Sequence, residues 1–340
     1  MAQKITLAYI AEKAGVSKSA ASQALLGGGG KTTKVSPKTA ARIQQVAKKL
    51  NYRPNGVARS LSSGKTYSIG IMFGGIHDLY HMELAMNIQQ LLLKEGYIGI
   101  YTSWSCDEEF DKACNAILRH GIDGIITAHP SGFFPDNIPV VIYKSKHERY
   151  DYVMLNSEKR IEDSLSYLIS LGHRKIGYAD NNRKSFSDAM KKKAFHINPD
   201  WIIPCNGFLQ SGVKAAQHFM SLSEHPTAII ARNDTVSIAM IAEFQKHGIM
   251  IPEDISIISF DNMMISPHVT PPLTTFDCHS QRVAELLVDT MISRLTKIEQ
   301  PQIRREVKSE LLIRNSCAPI SGIKPKNLAK FKTNAPGQLK

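Results

Sequence analysis

Cysteine is scarce in this 340-residue chain: Cys106, Cys114, Cys205, Cys278 and Cys317 are odd in number and scattered, with no Cys-x-x-Cys pair. That argues against a disulfide framework or a zinc ribbon, and it fits a reducing compartment. Long apolar runs are missing too. No stretch approaches the roughly 20 residues a membrane-spanning helix needs. Met1-Ala2-Gln3-Lys4-Ile5 does not open a signal peptide. The expectation is a cytoplasmic protein with no membrane partner.

A third shortage is local. Residues 1–65 contain one acid, Glu12, against twelve Lys and Arg. Residues 318–340 hold five lysines and no acid, while residues 66–317 carry the other 25 bases against 29 acids. A basic head on a slightly acidic body points to a polyanion gripped at one end.

What the head does contain is a helix pattern. Thr6 is placed to cap a short helix whose residues Leu7, Ile10, Ala11 and Ala14 share one face. Gly15 supplies a turn, and Ser17 caps a second helix running to about Leu26. On it Val16, Ala21 and Leu25 fall inward, with Lys18, Ser19, Ser22 and Gln23 on the exposed face. A third helix opens at Ser36-Pro37, where the missing proline N–H costs nothing. Ile43, Val46, Ala47 and Leu50 form its apolar face, and Asn51 ends it. Helix, tight turn, helix and supporting helix is the helix-turn-helix plan, whose second helix enters the major groove.

Two glycine stretches imitate phosphate loops and fail. Gly27 to Gly30 before Lys31-Thr32 would need a glycine where Leu25 stands, and Gly64-Lys65-Thr66 would need one at Arg59. Gly70-x-x-x-Gly74-Gly75 is no dinucleotide fingerprint. The expectation is a protein that is not an enzyme and has no cofactor. His77-Asp78-x-x-His81 has helical metal-ligand spacing but lacks a third ligand, so no metal is assigned.

From residue 67 the pattern changes to short apolar runs alternating with amphipathic stretches. Residues 68–73, 98–102 and 124–127 alternate with 83–94 and 107–119. The alternation resumes over 175–179, 227–231, 233–246 and 255–260. This is βαβ organisation with parallel sheets. Two blocks meet near Asn156, and segments after Thr275 cross back.

The runs "ITLAYIAEKAGVSKSAASQALLG" and "VSPKTAARIQQVAKKLNYRPNGVARSL" resemble the headpiece and hinge of LacI/GalR-type bacterial repressors. The resemblance continues with gaps through "SIGIMF", "DGII", "LGHRKIGY", "ARNDTVSIAM" and "ISIISFDN" to about Cys317. It implies a small all-α helix-turn-helix head on an α/β body of two periplasmic-binding-protein-like subdomains. The head spans residues 1–53 and the hinge helix and linker 54–65. The core spans 66–317, with one subdomain over about 66–155 plus 280–306 and the other over 156–279 plus 307–317. A basic tail expected to be disordered completes the chain at 318–340.

By position, the resemblance makes Lys18, Ser19 and Gln23 major-groove readers. Glutamine can pair bidentately with adenine, and lysine donates to guanine or phosphate. Lys4, Lys38 and Arg53 become phosphate contacts. In the hinge, Asn55, Ala58 and Leu61 meet the minor groove, with Leu61 as a wedge between base steps. Effector contacts are implied at Asp78, Tyr80, His81, Trp104, Asn233 and Asp261. Relatives grip the effector with an arginine where Asn182 stands, or Arg183 with a one-residue shift. Asn156 stands where relatives often carry Asp. The implied partners are a near-palindromic double-stranded DNA operator, a small-molecule effector, possibly a sugar, and a second copy in a homodimer. The implied setting is the bacterial nucleoid. The alternative is a sugar-binding protein without regulatory DNA binding.

Overall fold

The computed structural model describes residues 5–26, 35–52, 60, 63–75, 79–104, 106–129, 134–156, 159–297 and 300–320. They form two compact units, one built on residues up to Ser68 with Arg119–Asp123, the other on the rest.

The first unit is helical because its caps and apolar spacing agree. α1 is Leu7–Ala14, capped by the Thr6 side chain, which accepts from the Tyr9 N–H at 3.3 Å. Gly15 (φ 60) ends it in the left-handed region, which glycine enters without a Cβ penalty. In α2, Lys18–Leu26, Ser17 Oγ accepts from the Ala20 N–H at 3.1 Å. α3 is Pro37–Lys49; Ser36 Oγ accepts from the Thr39 N–H at 3.2 Å and Pro37 stands in the first turn. Asn51 (φ 51) turns the chain away. Ile10, Ala11, Ala14, Ala21, Ile43 and Ala47 are buried together, with Val16, Leu25, Val46 and Leu50 packed around them. So small a core leans heavily on its two isoleucines, each contributing about 1.5–3 kcal/mol by burial.

The second unit holds two sheets. β1 (Ser68–Met72), α4 (Leu79–Lys94), β2 (Ile98–Thr102), α5 (Asp107–Arg119), β3 (Gly124–Thr127), β4 (Val140–Tyr143) and β5 (Asp151–Asn156) come first. α6 (Arg160–Ser170), β6 (Ile176–Ala179), α7 (Arg183–Lys192), β7 (Ile202–Ile203), α8 (Leu209–Ser221), β8 (Ala228–Ala231), α9 (Asp234–Lys246), β9 (Ser256–Asp261) and β10 (Thr274–Asp277) follow. α10 (Ser280–Thr296), β11 (Arg304–Lys308) and β12 (Glu310–Leu312) close the described chain. Among the described residues the sheet orders are β11-β5-β4-β3-β1-β2 and β12-β10-β9-β8-β6-β7.

Every pair whose register is resolved among the described residues runs parallel except β10–β12, which is antiparallel. The expectation of parallel sheets therefore needs this one exception. Three residues of strand are enough to add an edge after a direct crossing, whereas a parallel partner needs a long connection. The chain passes between sheets after β5, after β10 and after β11. Each order reverses at its second-to-last strand, β1 in one sheet and β6 in the other. Ligands bind beyond the carboxyl ends of strands at such reversals.

Buried side chains lock this frame. Asp151 accepts a two-pronged pair from Arg294 of α10, Nε at 2.7 Å and Nη2 at 2.6 Å, and also the Ile303 N–H at 2.8 Å. Asp234 is wholly buried and accepts from the Met263 N–H (2.9 Å), Ser266 Oγ (2.5 Å) and Thr275 Oγ1 (2.7 Å). Burial pushes its carboxyl above the usual range, against the pull of those donors. α8 and α9 cross closely at Gly212, where a Cβ would strike the Val236 carbonyl and stand 2.9 Å from Ala239 Cβ.

Candidate DNA-reading face and effector cleft

On α2, Lys18 and Ser19 are exposed, whereas Ser22 and Gln23 are half-buried. The face expected to be exposed is therefore open at Lys18 and Ser19 and partly covered at Ser22 and Gln23. α3 approaches α2 here, with Gln44 Nε2 donating to the Ala24 carbonyl at 3.5 Å. The Gln23 amide oxygen is shielded and has no hydrogen-bond partner among the described residues, so turning it outward breaks no hydrogen bond among them. Lys38 is exposed at the start of α3. Lys4, Arg53, Asn55, Ala58 and Leu61 lie outside the described residues, as do the Gly27–Gly30 run and residues 321–340 of the tail.

In the body, Asp78 also lies outside the described residues. Tyr80 and His81 belong to the first turn of α4, and both turn inward. Tyr80 is 1% exposed and its hydroxyl shares a 2.9 Å hydrogen bond with that of Tyr143 at the end of β4. Lys144 Nζ sits over both rings, 5.8 and 5.9 Å from their centroids. His81 Nδ1 lies 3.2 Å from the Gly74 carbonyl oxygen, and its ring stacks on Phe73 at 5.2 Å. Trp104 is 9% exposed. It packs edge-on against Phe110 (4.8 Å) and His129 (5.6 Å), and a Cβ on Gly74 would lie 3.3 Å from its indole. These aromatics form a wall more than a stacking platform.

On the other side, Asn233 is buried and used at both ends. Its Oδ1 accepts from the Val236 N–H at 3.0 Å, capping α9, and its Nδ2 donates to the Gly207 carbonyl at 3.2 Å. Asn182 caps α7 through the Ser185 N–H at 3.4 Å, and Arg183 Nη2 donates to the Ile202 carbonyl at 3.4 Å on the edge strand. Asp261 is half-buried at the end of β9 with φ 110. Such a backbone favours glycine, and a non-glycine held there marks a constrained site. Cys278 Sγ donates to Asp261 Oδ1 at 3.7 Å.

Tyr80 belongs to the half built on the first sheet and Asp261 to the half built on the second, and the Asp261 charge is felt at the Tyr80 hydroxyl. Burial first, then Tyr143, Cys278 and Asp261, push the Tyr80 hydroxyl well above its ordinary value. Burial and Asp261 do the same to the Cys278 thiol, opposed by Lys144 and Arg160. Trp104 belongs to its own aromatic cluster, and Asn182 and Arg183 make their contacts beside β7. Sequence reasoning missed Tyr143, Lys144, Arg160 and the Asp180–Arg232 pair (2.5 Å). Asp180 and Arg232 each follow a strand at the β6 reversal, so the strand-end rule could have found them.

A basic helix-turn-helix unit, and a two-sheet body with titratable groups converging at its strand ends, define the class of ligand-controlled DNA-binding regulators. A family model described as "Bacterial regulatory proteins, lacI family" matches residues 6–55, and one for a "Periplasmic binding protein-like domain" matches residues 165–317. The chain is 26% identical over 337 residues to the HTH-type transcriptional repressor PurR of Vibrio parahaemolyticus, covering 92% of this chain and 98% of that one. It is likewise 26% identical to the ribose operon repressor of Haemophilus influenzae, covering 85% and 92%. Its fold matches the lac repressor dimer bound to operator and the anti-inducer ONPF, with a TM-score of 0.76 at 19% identity, covering 93% and 100%. The chain belongs to the LacI/GalR family of bacterial regulators, and it is an effector-controlled transcriptional repressor.

Proposed function

We propose that this repressor works as a homodimer in the bacterial cytoplasm and reads a near-palindromic operator. The observation that carries this is the exposed edge of α2, Lys18 and Ser19 beside Gln23, on a basic unit whose helices are capped and whose core is buried. Lys38, with Lys4 and Arg53, positions the head on phosphates, and Asn55, Ala58 and Leu61 engage the minor groove between half-sites.

An apolar stripe supports the dimer. Leu79, Met82, Met86 and Leu93 are exposed along one face of α4, Met86 at 58%, near-helical spacing that leaves them side by side. Ile98 and Tyr101 are exposed on the edge strand β2. Soluble monomers rarely leave such a patch uncovered.

The effector sits between the sheets, against Tyr80, Asp261 and their neighbours, with Asp261 placed to accept from hydroxyl groups. Similarity to a ribose operon repressor supports a small carbohydrate. The effector acts by binding one arrangement of the two halves better than another. Selection of bound sequences from a random DNA pool at physiological salt tests the reading. The expected product is a near-palindrome whose affinity changes with a metabolite extract. Recovery of no enriched sequence, with or without extract, would overturn it.

A further inference from the structure

Where β5 passes into α6, beside the step from β11 to β12, there is a cavity of about 270 Å³. It is lined by Asn156, Lys159, Arg160, Asp163, Lys308 and Ser309. Among the described residues, none of its three cations is in an ion pair. Asp163 is the one acid among the described residues that line it, and burial pushes its carboxyl up while Lys159 pulls it down.

The cations are poorly placed for the protein alone. Lys159 occupies the cap position of α6 without a side-chain hydrogen bond to the first turn, and Arg160 is the first helical residue. Both sit at the positive end of the helix dipole, which favours anions. Among the described residues Arg160 has no carboxylate partner; its guanidinium lies 4.4 Å from the ring centroid of Phe260 in β9. Asn156 Nδ2 is committed to Glu306 Oε1 at 2.6 Å, and Ser309 Oγ donates to the Asn156 carbonyl at 3.4 Å. A local conflict of this kind marks a functional site.

We propose that the effector is anionic and that this cavity holds its carboxylate or phosphate group through Arg160, Lys159 and Lys308. The inference rests on the effector-controlled reading and narrows it, from a neutral carbohydrate to an acidic or phosphorylated one. The bound anion ties the β5–α6 crossing to the β11–β12 crossing. It thereby stabilises one arrangement of the halves.

The test is thermal melting of the full chain at constant ionic strength, balanced with sodium chloride. The additions are inorganic phosphate, glucose against glucose 6-phosphate, ribose against ribose 5-phosphate, and glucuronate. Variants are Arg160→Gln and the exposed Lys308→Gln. Wild type should show a saturable rise of about 2–4 °C at tenfold saturation with an anion. That rise should be lost or halved in either variant, and the neutral sugars should give none. Phosphate also meets the basic head, so the difference between wild type and variant is the readout. Equal shifts in wild type and both variants, or no anion-dependent shift in wild type, would overturn the proposal. A response to glucuronate alone assigns the site to carboxylates, and one to the phosphate esters alone assigns it to phosphates. The operator selection is independent of these melts, so a failed selection sinks the regulator reading even where the anion shift persists.

Discussion

Glu83 of α4 bridges the two halves of the body: its Oε2 accepts from the Met264 N–H at 3.0 Å, while its Oε1 accepts from Ser280 Oγ at 2.7 Å. Met264 follows the last residues of β9, so a helix of one half holds a loop of the other. Hydrogen bonds to a charged group contribute about 1.5–3 kcal/mol. Glu83→Ala should speed hydrogen exchange at the Met264 amide about tenfold or more, leaving Ile257 and Ile258 protected. An unchanged Met264 rate would show that the bridge holds nothing.

Ile43 is fully buried at the centre of the head. Truncating such a residue costs about 2–5 kcal/mol, a large share of what a unit of this size can hold. Ile43→Ala should abolish operator binding and leave the melting of the body unchanged. Operator affinity within threefold of wild type would contradict the assignment of this core.

Gln23 and Lys38 should fail in different ways. Gln23→Ala should relax preference at one base position by about 1–3 kcal/mol. Lys38→Ala should weaken all sequences alike and lower the slope of log affinity against log salt by about 1. Binding of single-base operator variants at several salt concentrations separates these outcomes, and a sequence-selective loss in Lys38→Ala would count against its role.

His173 is buried, with Nδ1 2.9 Å from Thr227 Oγ1 and Nε2 3.0 Å from the Ala318 carbonyl oxygen. Burial lowers its pKa from the ordinary 6.5, opposed by the Ala318 bond and assisted by Arg174. The folded state thus prefers the neutral ring, while the unfolded chain takes up a proton near pH 6.5. The stabilisation is present above that pH and is lost as pH falls toward the folded value. His173→Gln should melt lower at pH 7.5 and lose less on acidification to pH 5.5. Parallel pH profiles of the two proteins would refute this.

Gly212 marks the tightest helix approach. Because the obstacle is the Val236 backbone, Gly212→Ala should force α8 from α9 and cost about 1–3 kcal/mol. Urea denaturation gives the value directly, and an unchanged midpoint would mean that the helices part freely.

The caps were legible in the sequence because they are local chemistry. Thr6, Ser17, Ser36 and Asn233 each accept the N–H two or three residues into a helix, as their types and neighbours foretell. The reach of α5 and β3 was legible for the same reason, since each carries an unbroken apolar period. The inward turn of Tyr80, His81 and Trp104 was not, because it depends on partners at Tyr143, Gly74 and Phe110 that only the folded sheet brings near. Nor was Arg160, whose neighbour Phe260 is a hundred residues away in sequence and whose cavity closes with Lys308. The half-burial of Gln23 likewise depends on how α3 leans on α2.

Between β11, which ends at Lys308, and β12, which begins at Glu310, stands only Ser309. Its N–H and hydroxyl both donate to the Asn156 carbonyl, at 3.5 and 3.4 Å, strapping it to the neighbouring crossing. One residue spans at most about 3.6 Å, so the sheets have no slack with which to slide or draw apart there. What remains free are the torsions about Ser309 itself. At this crossing the two halves can turn about Ser309 more readily than they can slide, which makes it a torsion pivot.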